Sequence, residues 1–409
     1  MRTILTISAS NFLSFRSIKA SLYPLNILVG PNGAGKTNFL RIFQFLGDVA
    51  RRDLVPAIDQ LDGISQIRFR KEPPSRNVEL QLNGIITTNA SLNAPDEYSL
   101  SFREGRVFTS RPFFHRRLVE RTETIVVKRF KGPGRRITLK GRKVQVAHLT
   151  DGVKSAKSTA ERTLDVQSES SGLNTIRKLG DDYGAHQVEA LAQAFESLRL
   201  FDVNVDKIRT SSRMTNPSKL EDDASNLAVY LYWMSNEHAS TYERVCEDVR
   251  FVLPGFEEFR FTALGGADDG IRLDFKERHL SGYTPLARAS FGTLRAIALF
   301  AMLNDPNPPR LTCLEEVDHG LHPHALDRLV DRLRDASQRT QIIAATHSPA
   351  LVNRVLENEI IIFERSATTG ESMIVDLKPE QIAKMKQESG YELGELWFSG
   401  SLGGSNEEV

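Results

Sequence analysis

The spacing of apolar residues divides the chain into stretches of different rhythm. Ile4 to Ile7 and Leu25 to Val29 are short aliphatic runs of strand type. Asn38 to Asp48 places Phe39, Leu40, Phe43 and Leu46 at helical spacing, with a glycine-rich turn between Val29 and that helix. From about Ile64 to Ala147 the rhythm shortens to alternation, as in Val78 to Leu82 and Tyr98 to Phe102, broken by Gly, Asn and Pro. That pattern predicts antiparallel strands. Phe130 to Ile137 reads as a hairpin turn joining strands at Thr124–Val127 and Ile137–Val146. From about Ser155 to Tyr242 the period is helical. His186 to Leu200 carries Val188, Leu191, Phe195 and Leu198 on one face, and Asp222 to Ser225 supplies a capping run before a helix that begins at Leu227. After about Arg260, strands at Ile271–Phe275, Arg310–Leu314 and Thr340–Ala345 alternate with helices at Gly292–Leu303 and Ala325–Ala336. Such alternation predicts a parallel α/β sheet.

The expected organisation is an α/β core split between residues 1–60 and 260–409. An antiparallel β lobe over 61–150 and a mainly helical insertion over 151–259 lie between its halves. A length of 409 residues suits two or three structural units. No heptad pattern persists, so coiled-coil arms are not expected. Cys246 and Cys313 are the only cysteines, which excludes a disulfide framework and a Cys-rich metal site and fits a reducing cytoplasm. The longest apolar run, Ala296 to Leu303, falls far short of the ~20 residues that span a bilayer. The first ten residues lack the apolar stretch of a signal peptide. A cytoplasmic protein without a membrane partner is expected.

Four motifs carry chemistry. Gly30-Pro-Asn-Gly-Ala-Gly-Lys-Thr37 satisfies G-x-x-x-x-G-K-[ST]. Its glycines free backbone N–H groups to wrap phosphates, and the helix that follows adds its positive end. Lys36 reaches the β- and γ-phosphates, and Thr37 offers a hydroxyl to Mg²⁺. Leu311-Thr-Cys-Leu-Glu315-Glu316 is an apolar strand ending in two carboxylates, one suited to the metal shell and one to orienting water. Ala345-Thr-His347-Ser-Pro ends a later strand, where α/β sheets bind ligands. Ser290-Phe-Gly292-Thr opens a helix and forms a second candidate anion site, which a dimer would use to cap its partner's γ-phosphate.

In this order the four resemble the ATP-binding-cassette ATPases, and more closely the soluble RecF/SMC/OLD-like branch. The stretches that carry the likeness are Asn11–Ser17 with Leu25–Asn38, Leu314–Pro323 and Thr340–Pro349, and the tail Gly394–Gly404 is also similar. The resemblance implies a P-loop NTPase of ABC type that uses ATP and Mg²⁺ and dimerises through an ATP sandwich. It implies nucleotide contacts at Gly30, Asn32, Gly33, Gly35, Lys36, Thr37 and Asn38, with metal at Thr37 and Glu315. Glu316 is then the catalytic carboxylate, His347 the γ-phosphate sensor, Ser290 and Gly292 the signature, and Asp318 part of the D-loop. Phe291 departs from the Ser-Asp-Gly or Ser-Gly-Gly of relatives, and Val317 stands where a Pro is frequent. Gln66 and Gln81 are candidates for the glutamine loop.

Charge adds one feature. Residues 103–143 hold fourteen Lys or Arg and three acids, a net +11 inside a chain of net +1. Lys128, Arg129, Lys131, Arg135, Arg136, Lys140, Arg142 and Lys143 crowd its second part without an acid. Such a patch neutralises phosphates with little regard to sequence, and DNA is the expected partner. OLD-like relatives often carry a TOPRIM nuclease, for which the 62 residues after His347 are too few. The expectation is therefore phage defence with a separately encoded effector or nuclease, as in the Septu-type and retron-linked ATPases that this arrangement resembles. A RecF-like repair ATPase and a nucleotide-gated toxin inhibitor that does not touch DNA are the alternatives. A transporter cassette fits poorly, since those are usually shorter and lack a basic antiparallel insertion.

Overall fold

A computed structural model describes residues 3–70, 77–105, 119–127, 134–149, 157–158, 162–163, 166–180, 184–210, 212–213, 216–265 and 270–403. Its strands form three sheets. The antiparallel sheet runs β10-β8-β7-β6-β5-β4-β1-β2, with β9 paired to β8. Its members are β1 (Ile4–Phe12), β2 (Phe15–Ser21), β4 (Val78–Gly84), β5 (Asp96–Glu104), β6 (Val119–Val127), β7 (Gly134–Lys140), β8 (Lys143–Leu149), β9 (Lys157–Ser158) and β10 (Arg162–Thr163). The core sheet runs β11-β16-β17-β3-β18-β19. It contains β3 (Leu25–Val29), β11 (Arg199–Phe201), β16 (Leu311–Leu314), β17 (Gln341–Ala345), β18 (Ile360–Arg365) and β19 (Ser372–Ile374). All its neighbours pair in parallel except β18 and β19. A third sheet joins β12 (Ser212–Arg213), β13 (Phe256–Leu264), β14 (Gly270–Glu277) and β15 (Tyr283–Pro285).

Alternation along the core strands builds a hydrophobic layer on each face of that sheet. Leu28, Cys313, Ile343, Ala345 and Phe363 join one cluster, and Ile27, Val29, Leu314, Ile342 and Ala344 the other. Helix α1 (Lys36–Arg52) fills the first layer. It reaches the antiparallel sheet through Phe45, whose ring lies 5.6 Å from Phe102 and 5.8 Å from Phe12. Helix α2 (Ala185–Glu196) packs beside it. On the other side lie α3 (Leu227–Glu237), α4 (Ala239–Val252), α5 (Phe291–Leu303) and α6 (Pro323–Ser337). Every residue of α5 from Leu294 to Leu303 is buried. The longest apolar run is therefore an interior helix, hydrophobic all round because neighbours cover every face.

Three sequence expectations need correction. Ile137–Val146 is two strands, because Gly141 takes a left-handed φ of 57° and turns the chain between β7 and β8. Ile271–Phe275 pairs antiparallel with β13 in the third sheet. Its buried Ile271, Leu273 and Phe275 join a hydrophobic cluster from that third sheet, not from the parallel one. Arg199–Phe201, within the stretch expected to be a helical insertion, is a strand of the core sheet beside β16.

Candidate functional site

The Gly30–Thr37 loop joins β3 to α1 at the carboxyl edge of the core sheet. Gly30 and Gly35 hold φ of 151° and 108°. A Cβ on Gly30 would lie 2.4 Å from the Phe363 carbonyl, and one on Gly35 2.6 Å from Ser372 Oγ, so only glycine fits either place. Lys36 is buried, and its Nζ donates to the carbonyls of Gly30 (2.6 Å) and Pro31 (3.0 Å). Burial lowers its pKa to about 8, against the pull of Glu316 and Glu315. Asn32 and Gly33 are exposed at the tip. Asn38 turns aside and donates to Ser14 Oγ at 2.8 Å.

The carboxylates arrive from β16. Thr37 Oγ1 donates to Glu315 Oε2 at 3.1 Å, which joins the two residues expected to hold a metal. Burial raises the Glu315 pKa, and the Thr37 hydrogen bond opposes it. A hydroxyl and a carboxylate in contact, beside a loop shaped for phosphates, form the hard-oxygen set that Mg²⁺ takes with nucleotide phosphates. Glu316 follows with a φ of +44°, rare for a residue with a side chain. The turn brings Val317 N to the Ala345 carbonyl at 3.0 Å, tying this loop to the end of β17. Asp318 accepts from the Thr346 hydroxyl there. His347 follows, and partial burial and the Lys36 cation hold its pKa below the ordinary imidazole value. Lys36, Thr37, Glu315, Glu316 and His347 thus converge at the ends of three adjacent parallel strands.

Ser290 caps α5, its Oγ accepting from Thr293 N at 3.1 Å. Gly292 lies against the loop after β16, where a Cβ would stand 2.3 Å from the Gly320 carbonyl. Sequence reasoning missed four residues. Arg295, 4% exposed, donates to the carbonyls of Glu315 (3.0 Å) and Glu316 (2.8 Å), and so holds the turn after β16 from α5. Asp202 follows β11 and adds a third carboxylate whose field reaches Glu315 and Arg295. Arg365 extends from β18 to the Gly33 carbonyl at 3.4 Å. His319 Nδ1 lies 3.0 Å from Glu316 Oε2. Neither glutamine-loop candidate joins this set. Gln66 is exposed and bonded to Arg70, and Gln81 is exposed on β4.

Comparison with known proteins agrees with this geometry. Residues 25–353 match the family model described as "AAA domain, putative AbiEii toxin, Type IV TA system". The chain belongs to this AAA family. None of the curated proteins matches it. Among solved structures, an SMC head bound to the C-winged helix domain of ScpA superposes with TM-score 0.53 at 15% identity, covering 93% of this chain and 99% of that one. An Smc head with an extended coiled coil, bound to the C-terminal domain of ScpA derived from Pyrococcus furiosus, gives TM-score 0.50 at 14% identity, covering 96% and 100%. At these identities the likeness shows the fold, an ABC-type P-loop ATPase head.

Of the expected nucleic-acid residues, Lys128, Arg129 and Lys131 lie outside the described residues. Arg136, Lys140, Arg142 and Lys143 are exposed on β7, β8 and their turn. Arg135 is half-buried on the face shared with Ile137 and Leu139. Two further charges of the basic segment are interior: Arg121 and Glu123 are 2% and 0% exposed.

Proposed function

We propose that this AAA-family chain binds and hydrolyses ATP with Mg²⁺ as a homodimer with two composite sites. It acts on or senses DNA in prokaryotic phage defence, together with a separately encoded effector or nuclease. The observation that carries the reading is the joining of Thr37 to Glu315 beside a buried Lys36, with Glu316 next in the chain. In this reading the Gly30–Thr37 backbone and Lys36 hold the β- and γ-phosphates. Thr37 and Glu315 would hold Mg²⁺, which supplies charge neutralisation on those phosphates. Glu316 accepts a proton from water as the water oxygen bonds to the γ-phosphorus. The bond from that phosphorus to the β-bridging oxygen breaks, leaving ADP and phosphate. His347 donates to the γ-phosphate. Ser290, exposed at the start of α5, and the half-buried Gly292 cap the nucleotide of the partner protomer.

The exposed cations of β7 and β8 support the DNA part. The family description names a toxin–antitoxin system and both solved heads are bound to a partner, which supports a partnered defence role. The test is Glu316→Gln. Loss of a general base costs about 10²–10⁴-fold, so phosphate release should fall by at least about 100-fold while ATP stays bound. Light scattering should then show an ATP-dependent dimer. Hydrolysis at the parent rate would overturn the site assignment.

A further inference from the structure

Phe291 occupies a signature position where a small or acidic residue was expected, and the structure gives it a partner. Its ring lies 5.2 Å from that of His319 at 51°. His319 Nδ1 is 3.0 Å from Glu316 Oε2. The imidazole nitrogen and the carboxylate oxygen are thus within ion-pair distance. The three residues form a continuous path from the start of α5 to the carboxylate at the end of β16.

The surrounding backbone leaves this path little freedom. A Cβ on Gly320 would stand 2.5 Å from Phe291 Cδ1, and one on Gly292 2.3 Å from the Gly320 carbonyl. The Glu316 carbonyl accepts from His319 N at 2.9 Å and from Arg295 at 2.8 Å. This pins a residue whose φ of +44° costs backbone strain. By contrast, the side chains of Glu316 and His319 are 54% and 59% exposed and Phe291 is 42% exposed. Packing alone therefore does not fix the carboxylate. The His319 imidazole lies beside it, and the Phe291 ring lies beside the imidazole.

We propose that His319 is the positioning residue of Glu316, and that Phe291 links it to the signature. This rests on the ATPase and dimer reading above. In such a dimer, Ser290–Gly292 of one protomer meets the partner's nucleotide, and Phe291 lies inside that contact. Displacement of its ring shifts His319 and hence the Glu316 carboxylate of the same protomer. Occupancy of one composite site is thereby reported to the catalytic carboxylate of the other, a coupling between two sites through one movable element.

The test is steady-state ATP hydrolysis by the full chain with Mg²⁺. His319→Ala should lower kcat by at least about 10-fold, as expected when a reacting group is misplaced, with KM for ATP within about twofold. His319→Asn keeps a donor at the Nδ1 position and should recover most of kcat, whereas His319→Gln moves the donor out by one bond and should not. Phe291→Ala should lower kcat, and its combination with His319→Ala should fall no further than His319→Ala alone. Parent kcat in His319→Ala, equal rescue by Asn and Gln, or multiplying effects in the double variant would overturn the proposal. If Glu316→Gln is inactive while His319→Ala is not, this inference fails and the ATPase reading stands. If Glu316→Gln hydrolyses ATP like the parent, both fall.

Discussion

Lys36 spends its charge on two loop carbonyls, those of Gly30 and Pro31. Burial already works against that charge, which is why its pKa lies near 8. Phosphate oxygens would offer the amine full negative charge in exchange for neutral acceptors. A hydrogen bond to a charged group contributes about 1.5–3 kcal/mol, so Lys36→Ala should weaken ATP binding by at least about 10-fold. Calorimetric titration checks this, with unaltered affinity counting against a phosphate-binding role. Thermal stability should hold or rise, since the variant removes a desolvated cation. Lys36 was legible in the sequence because its motif is contiguous and its glycine spacing has one steric meaning. Arg295 was not. Its guanidinium reaches the Val203 carbonyl across 92 positions and the Glu315 carbonyl across 20. Backbone acceptors carry no residue signature, so nothing in the text marks them.

At the level of elements, the strands that alternate cleanly were readable and those fixed by their neighbours were not. Leu25–Val29 and Gln341–Ala345 are buried throughout and, apart from Asn26 and Gln341, apolar, as suits strands covered on both faces. β11 has only three residues, following directly on helical spacing, and becomes a core strand by pairing with Thr312, Cys313 and Leu314. The antiparallel sheet is anchored by a buried network that sequence alone does not reveal. Glu123 accepts from the Tyr98 hydroxyl at 2.9 Å and from Ser171 Oγ at 3.0 Å, and also takes the N–H of Gly172. Its carboxylate lies 3.7 Å from Arg121 Nε. Asp53, just past α1, accepts from Ser171 N, which ties the same segment to the nucleotide-binding helix. Glu123→Ala would leave Arg121 as an uncompensated buried charge. Breaking a buried pair from one side costs about 3–5 kcal/mol, and denaturant unfolding should show a loss of that size. A loss below ~1 kcal/mol would mean that the network is not what holds the sheet to α1.

For the whole molecule, a net charge of +1 hides a segment of +11 set against a remainder of −10. The structure sorts that segment. Arg121 is interior, Arg103 is paired with Glu120 at 2.6 Å, and Arg136, Lys140, Arg142 and Lys143 are exposed. In the register of β7 and β8, Lys140 stands directly opposite Lys143. Next to Lys140 on β6 is Thr122, followed by Ser101 on β5, while Thr138 leads to Thr124 and Ser99. The cations therefore border rows of hydroxyls on one sheet face, a surface suited to phosphates and not to any particular base. Reversal of Arg136, Lys140 and Lys143 to Glu should lower duplex DNA affinity by at least about 10-fold. It should also reduce the slope of log affinity against log salt by up to about 3, near 0.9 per lost phosphate contact. None of the three lies in the ATP site, so hydrolysis without DNA should keep its rate. The reversed residues again place like charges opposite each other at positions 140 and 143. Loss of DNA binding could then be assigned to the sign of the charge, and retention of the parent salt slope would remove DNA from the proposed function.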